Sequence, residues 1–213
     1  MSEMDFAEGD SEAFHLWFDW FSCRHAADLL LAGFRTVAAY RALIGGMQVV
    51  DVLEASGWEI FDTERYRAMM PKDPHWRDIL GRRVRKSHTV YTEQALLTHE
   101  LAGGLPPIDA DWITMTRYEA DEQLEAAVLD WFSAHEAARL RTLGAREFRR
   151  GRRTRDHPRN PTIRPSCVIF VEWDRKPSGD SDSVEKIAGR FSAVVRADHF
   201  AGQRIYPWPD HAS

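Results

Sequence analysis

Glu172, Asp174 and Lys176 stand at alternate positions in the run Val168-Ile169-Phe170-Val171-Glu172-Trp173-Asp174-Arg175-Lys176. A strand sends successive side chains to opposite faces, so two carboxylates and an ammonium project together while Val171 and Trp173 face the other way. Carboxylate oxygens so spaced can hold a magnesium ion that keeps several of its waters, and a lysine can polarise an attacking water or neutralise phosphate charge. The same charges would equally serve to keep an edge strand from pairing further.

The elements around this run must bring other groups to it. Cys167 to Trp173 reads as a buried strand, Ser181 or Asp182 can cap a helix bearing Val184, Ile187, Phe191 and Val194, and Arg204 to Trp208 suits a closing strand. Trp112 to Tyr118 reads as a further strand, and a helix is expected from about Ala120 to Phe148. Earlier in the chain, Phe14, Trp17, Phe18 and Phe21 recur at helical spacing up to Gly33, and a second helical pattern runs from about Thr36 to Ala55. Met47 to Glu54 within it could instead be a strand. Trp58 to Phe61 reads as a short strand, and Trp76 to Glu100 as helical at least in part. The expected fold is therefore α+β: a helix-rich N-terminal part with a small mixed sheet, completed by a C-terminal strand-helix-strand. Residues 11–148 would form the first part, 149–164 a basic linker or loop, and 165–213 the completion of the same core.

In this order of elements, the Glu172-Trp173-Asp174-Arg175 string resembles the PD-(D/E)XK nuclease superfamily, and within it the plasmid replication-relaxation proteins. Those proteins usually carry Gly-Thr where Lys176-Pro177 follows here. The resemblance implies a magnesium-dependent nuclease-like site in which Asp109 or Asp111 supplies the first acid. Asp111, Glu172, Asp174 and Lys176 would be catalytic, with Asp111 and Asp174 as the metal ligands.

Charge is unevenly spread. Ten arginines against Glu147 and Asp156 leave residues 139–164 at +8, and the remaining chain at −13. A basic stretch of this kind suits nucleic acid, with Arg149, Arg150, Arg152, Arg153, Arg155 and Arg159 on phosphates, or an acidic protein partner. It would also suit a loop that answers the chain's own acidic body. Burying these arginines would strand charge, so they are expected to be exposed. A non-enzymatic phage or mobile-element binding protein using this segment is the alternative to a nuclease.

Composition narrows the field. With 44% hydrophobic residues in 213 the chain can build a core, and no apolar stretch is long enough for a membrane span. Two cysteines, Cys23 and Cys167, define no disulfide framework, and a reducing cytoplasm is the expected setting. His99-Glu100 lacks a second histidine for a helical zinc motif, and no glycine-rich phosphate loop is present. Trp17, Trp20 and Trp131 sit at helical spacing and read as packing. One internal similarity stays open between duplication and convergence: residues 19–35 and 130–146 share nine identities in seventeen, including Asp-Trp-Phe-Ser in both.

Overall fold

The structure is a computed structural model that describes residues 1–69, 76–96, 105–158, 160, 162–178, 183–194 and 196–208. Its strands are β1 (Ser2–Phe6), β2 (Thr36–Gly45), β3 (Val49–Glu54), β4 (Arg83–His88), β5 (Thr92–Ala95), β6 (Trp112–Tyr118), β7 (Ala145–Arg152), β8 (Cys167–Trp173) and β9 (Ala197–Tyr206). The helices are α1 (Ser11–Trp20), α2 (Ala26–Ala32), α3 (Glu64–Met69), α4 (Trp76–Gly81), α5 (Glu122–Trp131), α6 (Ala137–Thr142) and α7 (Val184–Arg190). All nine strands join one antiparallel sheet in the order β4-β1-β3-β2-β9-β6-β8-β7-β5.

That sheet must curl. Eight inter-strand spacings laid flat would put β4 about 38 Å from β5. Yet only Thr89, Val90 and Tyr91 join the two, and an extended chain from His88 to Thr92 covers at most roughly 14 Å. The edges are therefore drawn together and the sheet has an inside and an outside. Met4, Val37, Ala39 and Val49 face outward and pack on α1 and α2. Ala38, Tyr40, Val50 and Val52 face inward and meet Ile113, Met115, Phe170 and Phe200 across the interior.

The expectation of a helix-rich N-terminal part with a small mixed sheet is corrected here: the fold is sheet-dominant. Thr36 to Ala55 is a hairpin, not a helix, because β2 and β3 are covered on both faces for much of their length and so lose the alternation that marks a half-buried strand. Gly45 and Gly46, at φ 61° and 69°, make its turn, and a side chain on Gly45 would collide with the His199 carbonyl. Trp58 to Phe61 is 3-10 helix, and Trp76 to Glu100 holds α4, β4 and β5, its last four residues lying outside the described ones.

The internal similarity is a structural duplication. Strands β4-β1-β3-β2 and β9-β6-β8-β7 repeat one strand order, that of a ferredoxin-like βαββαβ unit, and β2 joins β9 to unite the halves. Asp10 and Asp121 cap α1 and α5 through the Ala13 and Leu124 amides, at 3.0 and 2.8 Å. Each helix then passes through a π-helical turn, Phe21–His25 and Phe132–Glu136, and the helical run closes on a left-handed glycine, Gly33 or Gly144.

The ladders align residue by residue. Thr36 pairs with Glu54 as Glu147 pairs with Glu172. Ser2 lies opposite both Asp51 and His88, as Thr116 lies opposite both Ile169 and His199. The rows Asp51-Ser2-His88 and Ile169-Thr116-His199 are thus equivalent.

Candidate active site

The outward face of β3 carries Asp51, Leu53 and, just past its end, Ala55. Above it lie α1 and α2, with Trp17, Trp20, His25 and Leu29, while Phe61, Tyr66 and His157 close one side. Between them is a cavity of about 470 Å³ that also reaches past Val90 and Tyr91 toward the interior. In the second half the corresponding space is filled: the position of Ala55 is held by Trp173, which is 1% exposed and donates from Nε1 to Thr114 Oγ1 at 3.0 Å.

Aromatic rings cluster along one side of the wall. Tyr66 stands 5.3 Å from Phe61 and 6.0 Å from Phe34, centroid to centroid, and Phe61 meets His157 edge-on at 5.0 Å. His157 Nδ1 accepts from the Asn160 amide at 3.2 Å, which places the proton of the neutral ring on Nε2, 3.2 Å from the Tyr66 oxygen. His88 lies 5.4 Å from His157, ring to ring.

The polar residues of the lining include one row across β3, β1 and β4, made of Asp51, Ser2 and His88, alongside Arg35, Glu54, Arg83, Glu93 and Arg149. Ser2 Oγ is 3.2 Å from His88 Nε2. Asp51 is only 4% exposed, and its Oδ1, like His88 Nδ1, has no hydrogen-bond partner among the described residues. Burial pushes the Asp51 carboxyl well above the ordinary carboxylate range, against the pull of the Met1 amino group and Arg83. Burial also lowers His88 to about 3, with the charges of His157, the Met1 amino group, Arg83 and Lys86 acting the same way, so its ring is neutral near pH 7. A buried polar atom without a partner costs about 1–3 kcal/mol, so two of them on residues lining one cavity mark this row as a candidate site.

The residues expected to form a metal site stand elsewhere. Glu172 points inward and is 1% exposed. Its Oε1 takes Arg149 Nε and Nη2 at 2.9 and 2.7 Å; its Oε2 takes Arg146 at 3.0 Å and the amides of Asp109 and Ala110 at 3.2 and 3.3 Å. Asp111 and Asp174 lie at the same end of β6 and β8, one residue beyond the Trp112–Trp173 pair, but Asp111 is held by Arg204. Asp174 and Lys176 are exposed past the strand end. No group of three or more His, Cys, Asp or Glu residues able to hold a metal ion occurs among the described residues.

The arginines are likewise occupied. Arg149 is 1% exposed and bridges Glu172, Glu93 and Glu54 while donating to the Pro106 carbonyl. Arg152 pairs with Glu125, Arg153 with Asp156 and Arg164 with Glu3 and Asp198; Arg155 lies over the Trp58 ring at 4.9 Å. Arg150 is half-buried on β7, and Arg159 lies outside the described residues. Arg155 is exposed as expected, but Arg149 is buried and Arg150, Arg152, Arg153 and Arg164 are half-buried, because burial strands a charge only when carboxylates are missing, and here the sheet supplies them.

No family model matches the chain, and no curated protein matches it significantly in sequence. Its fold is similar to that of a crystallised anthrone oxidase-like protein, at TM-score 0.60 and 12% identity over 96% of this chain and 89% of the other. A more distant likeness, at TM-score 0.46 and 10% identity over 95% and 91% of the two chains, is to a candidate monooxygenase from Lactobacillus acidophilus NCFM. This curled antiparallel sheet is not the PD-(D/E)XK architecture, and the nuclease and nucleic-acid-binding readings, the magnesium site among them, are withdrawn. The mobile-element binding alternative falls with them, since the described arginines of its basic segment are engaged within the molecule. No helix among the described residues is long and apolar enough to cross a membrane.

Asp51 and His88 escaped sequence reasoning. The one available signal was Asp51 itself, a carboxylate inside the apolar run Val49-Val50-Asp51-Val52-Leu53.

Proposed function

We propose that this chain is an oxidase or oxygenase of small aromatic molecules, whose cavity takes a flat, fused-ring ketone of the anthrone type. The observation that carries the reading is the aromatic-walled cavity with the unpartnered Asp51 and His88 atoms beside it. Its volume falls within the roughly 300–1,000 Å³ usual for small-molecule sites, which combine apolar walls with a few placed polar groups. The fold shared with the anthrone oxidase-like protein supports the choice of an anthrone.

The reaction would convert the ring methylene to a carbonyl: two C–H bonds break, one atom of dioxygen enters the new C=O and the other leaves as water. The aromatic side of the wall holds the plane of the rings and keeps bulk water from the methylene, while His88 meets the ketone oxygen.

Titrating the protein with anthrone under nitrogen should quench tryptophan fluorescence saturably through Trp17 and Trp20. Admitting air should then consume oxygen and form quinone in equal amounts, faster than in buffer. Absence of saturable binding, or oxidation no faster than in buffer, sinks the proposal.

A further inference from the structure

We infer that Asp51 is the base that removes the methylene proton and that His88, oriented by Ser2, donates to the oxygen on which the resulting charge settles. This rests on the anthrone-type reading and assigns its first step to residues of this chain.

The duplication provides an internal comparison. In the second half the equivalent row is Ile169-Thr116-His199. The hydroxyl and the imidazole persist there, but the carboxyl is replaced by an isoleucine that is 1% exposed in a packed core. The fold therefore does not need a carboxyl at this rung. Only the half with a cavity has one, and there its Oδ1 lies buried without a partner among the described residues.

Asp51 and His88 stand two strands apart on one face of the sheet, with Ser2 between them, and all three line the cavity. The step uses the tautomer in which the Ser2 hydroxyl donates to His88 Nε2 and the ring proton sits on Nδ1, the atom that lacks a partner among the described residues.

In the step, the C–H bond breaks and its proton passes to the Asp51 carboxylate. The electron pair enters the ring system and comes to rest on the ketone oxygen, which accepts from His88 Nδ1–H.

The test is anaerobic exchange of the anthrone methylene protons in deuterium oxide, followed by proton NMR, alongside anthrone binding by fluorescence. Wild-type protein should accelerate exchange above buffer, and Asp51→Asn should bind anthrone but lower that acceleration at least about a hundredfold. Asp51→Ile copies Ile169 and is the second variant, chosen because the same rung accepts isoleucine in the other half. His88→Phe should weaken exchange and leave the fold intact. If Asp51→Asn or Asp51→Ile exchanges as fast as wild type, or if the wild type binds and oxidises anthrone without accelerating exchange, the assignment of Asp51 is overturned while the proposed function stands. If the wild type does not bind anthrone at all, both fall.

Discussion

Ala55 and Trp173 occupy the same rung of the two half-sheets, one residue past Glu54 and Glu172, and the difference between a methyl and an indole decides which half is hollow. In the second half the indole lies in the core with Tyr118, Ile169 and Val171. In the first, the equivalent space is lined by Leu53, Ala55, Phe61 and Tyr66 and stays open.

Ala55→Trp should therefore close the cavity. Anthrone affinity is expected to fall at least about tenfold, a loss of about 1.4 kcal/mol, while thermal stability stays within the 1–3 kcal/mol that overpacking costs. Fluorescence titration and thermal unfolding read the two effects. Undiminished binding would place the ligand elsewhere.

Removing Arg149 should damage folding. Arg149→Ala leaves Glu172 and Glu54 buried without their shared cation, a change expected to cost about 3–5 kcal/mol in urea unfolding. Arg155→Ala, which removes a surface cation from the Trp58 ring, should cost less than about 1 kcal/mol. Equal effects of the two substitutions would contradict the role given to the clamp.

Stability should fall with acid partly through His88. Its folded-state pKa is depressed from the ordinary 6.5 to about 3, so its contribution is fully present above pH 6.5 and is lost as pH falls toward 3, where an unfolded chain takes up the proton first. Comparing urea midpoints of wild type and His88→Gln across that window isolates the effect. The variant should show a shallower loss; parallel curves would mean that His88 is not held neutral.

Gly144 is left-handed at φ 102°, and a side chain there would press on Arg175. Gly144→Ala should lower stability by about 1 kcal/mol or more, whereas Gly189→Ala, in α7 with open space around it, should not. Chemical denaturation of the two variants distinguishes them.

Local patterns legible in the sequence were those with one dominant period. The helical face of Phe14, Trp17 and Phe21 and the strands Trp112–Tyr118 and Cys167–Trp173 appear at their expected places. Periodicity failed at β2 and β3, where apolar residues on both faces imitate a helix, and at β4, which falls in the span from Trp76 to Glu100 read as helical at least in part. The candidate site was illegible for a different reason. Asp51, Ser2 and His88 are far apart in sequence and meet only through strand pairing, whereas Glu172 and Asp174 are close in sequence and are parted by the end of a strand.

The pairing of β2 with β9 also has a consequence in time. Residues 36–45 complete their ladder only against residues 197–206, so during synthesis the first half presents an open strand edge until nearly all the described chain has emerged. Over that interval the edge is a template for any strand nearby, including β9 of another copy, and the molecule's correct assembly is a race between its own last strand and a neighbour's.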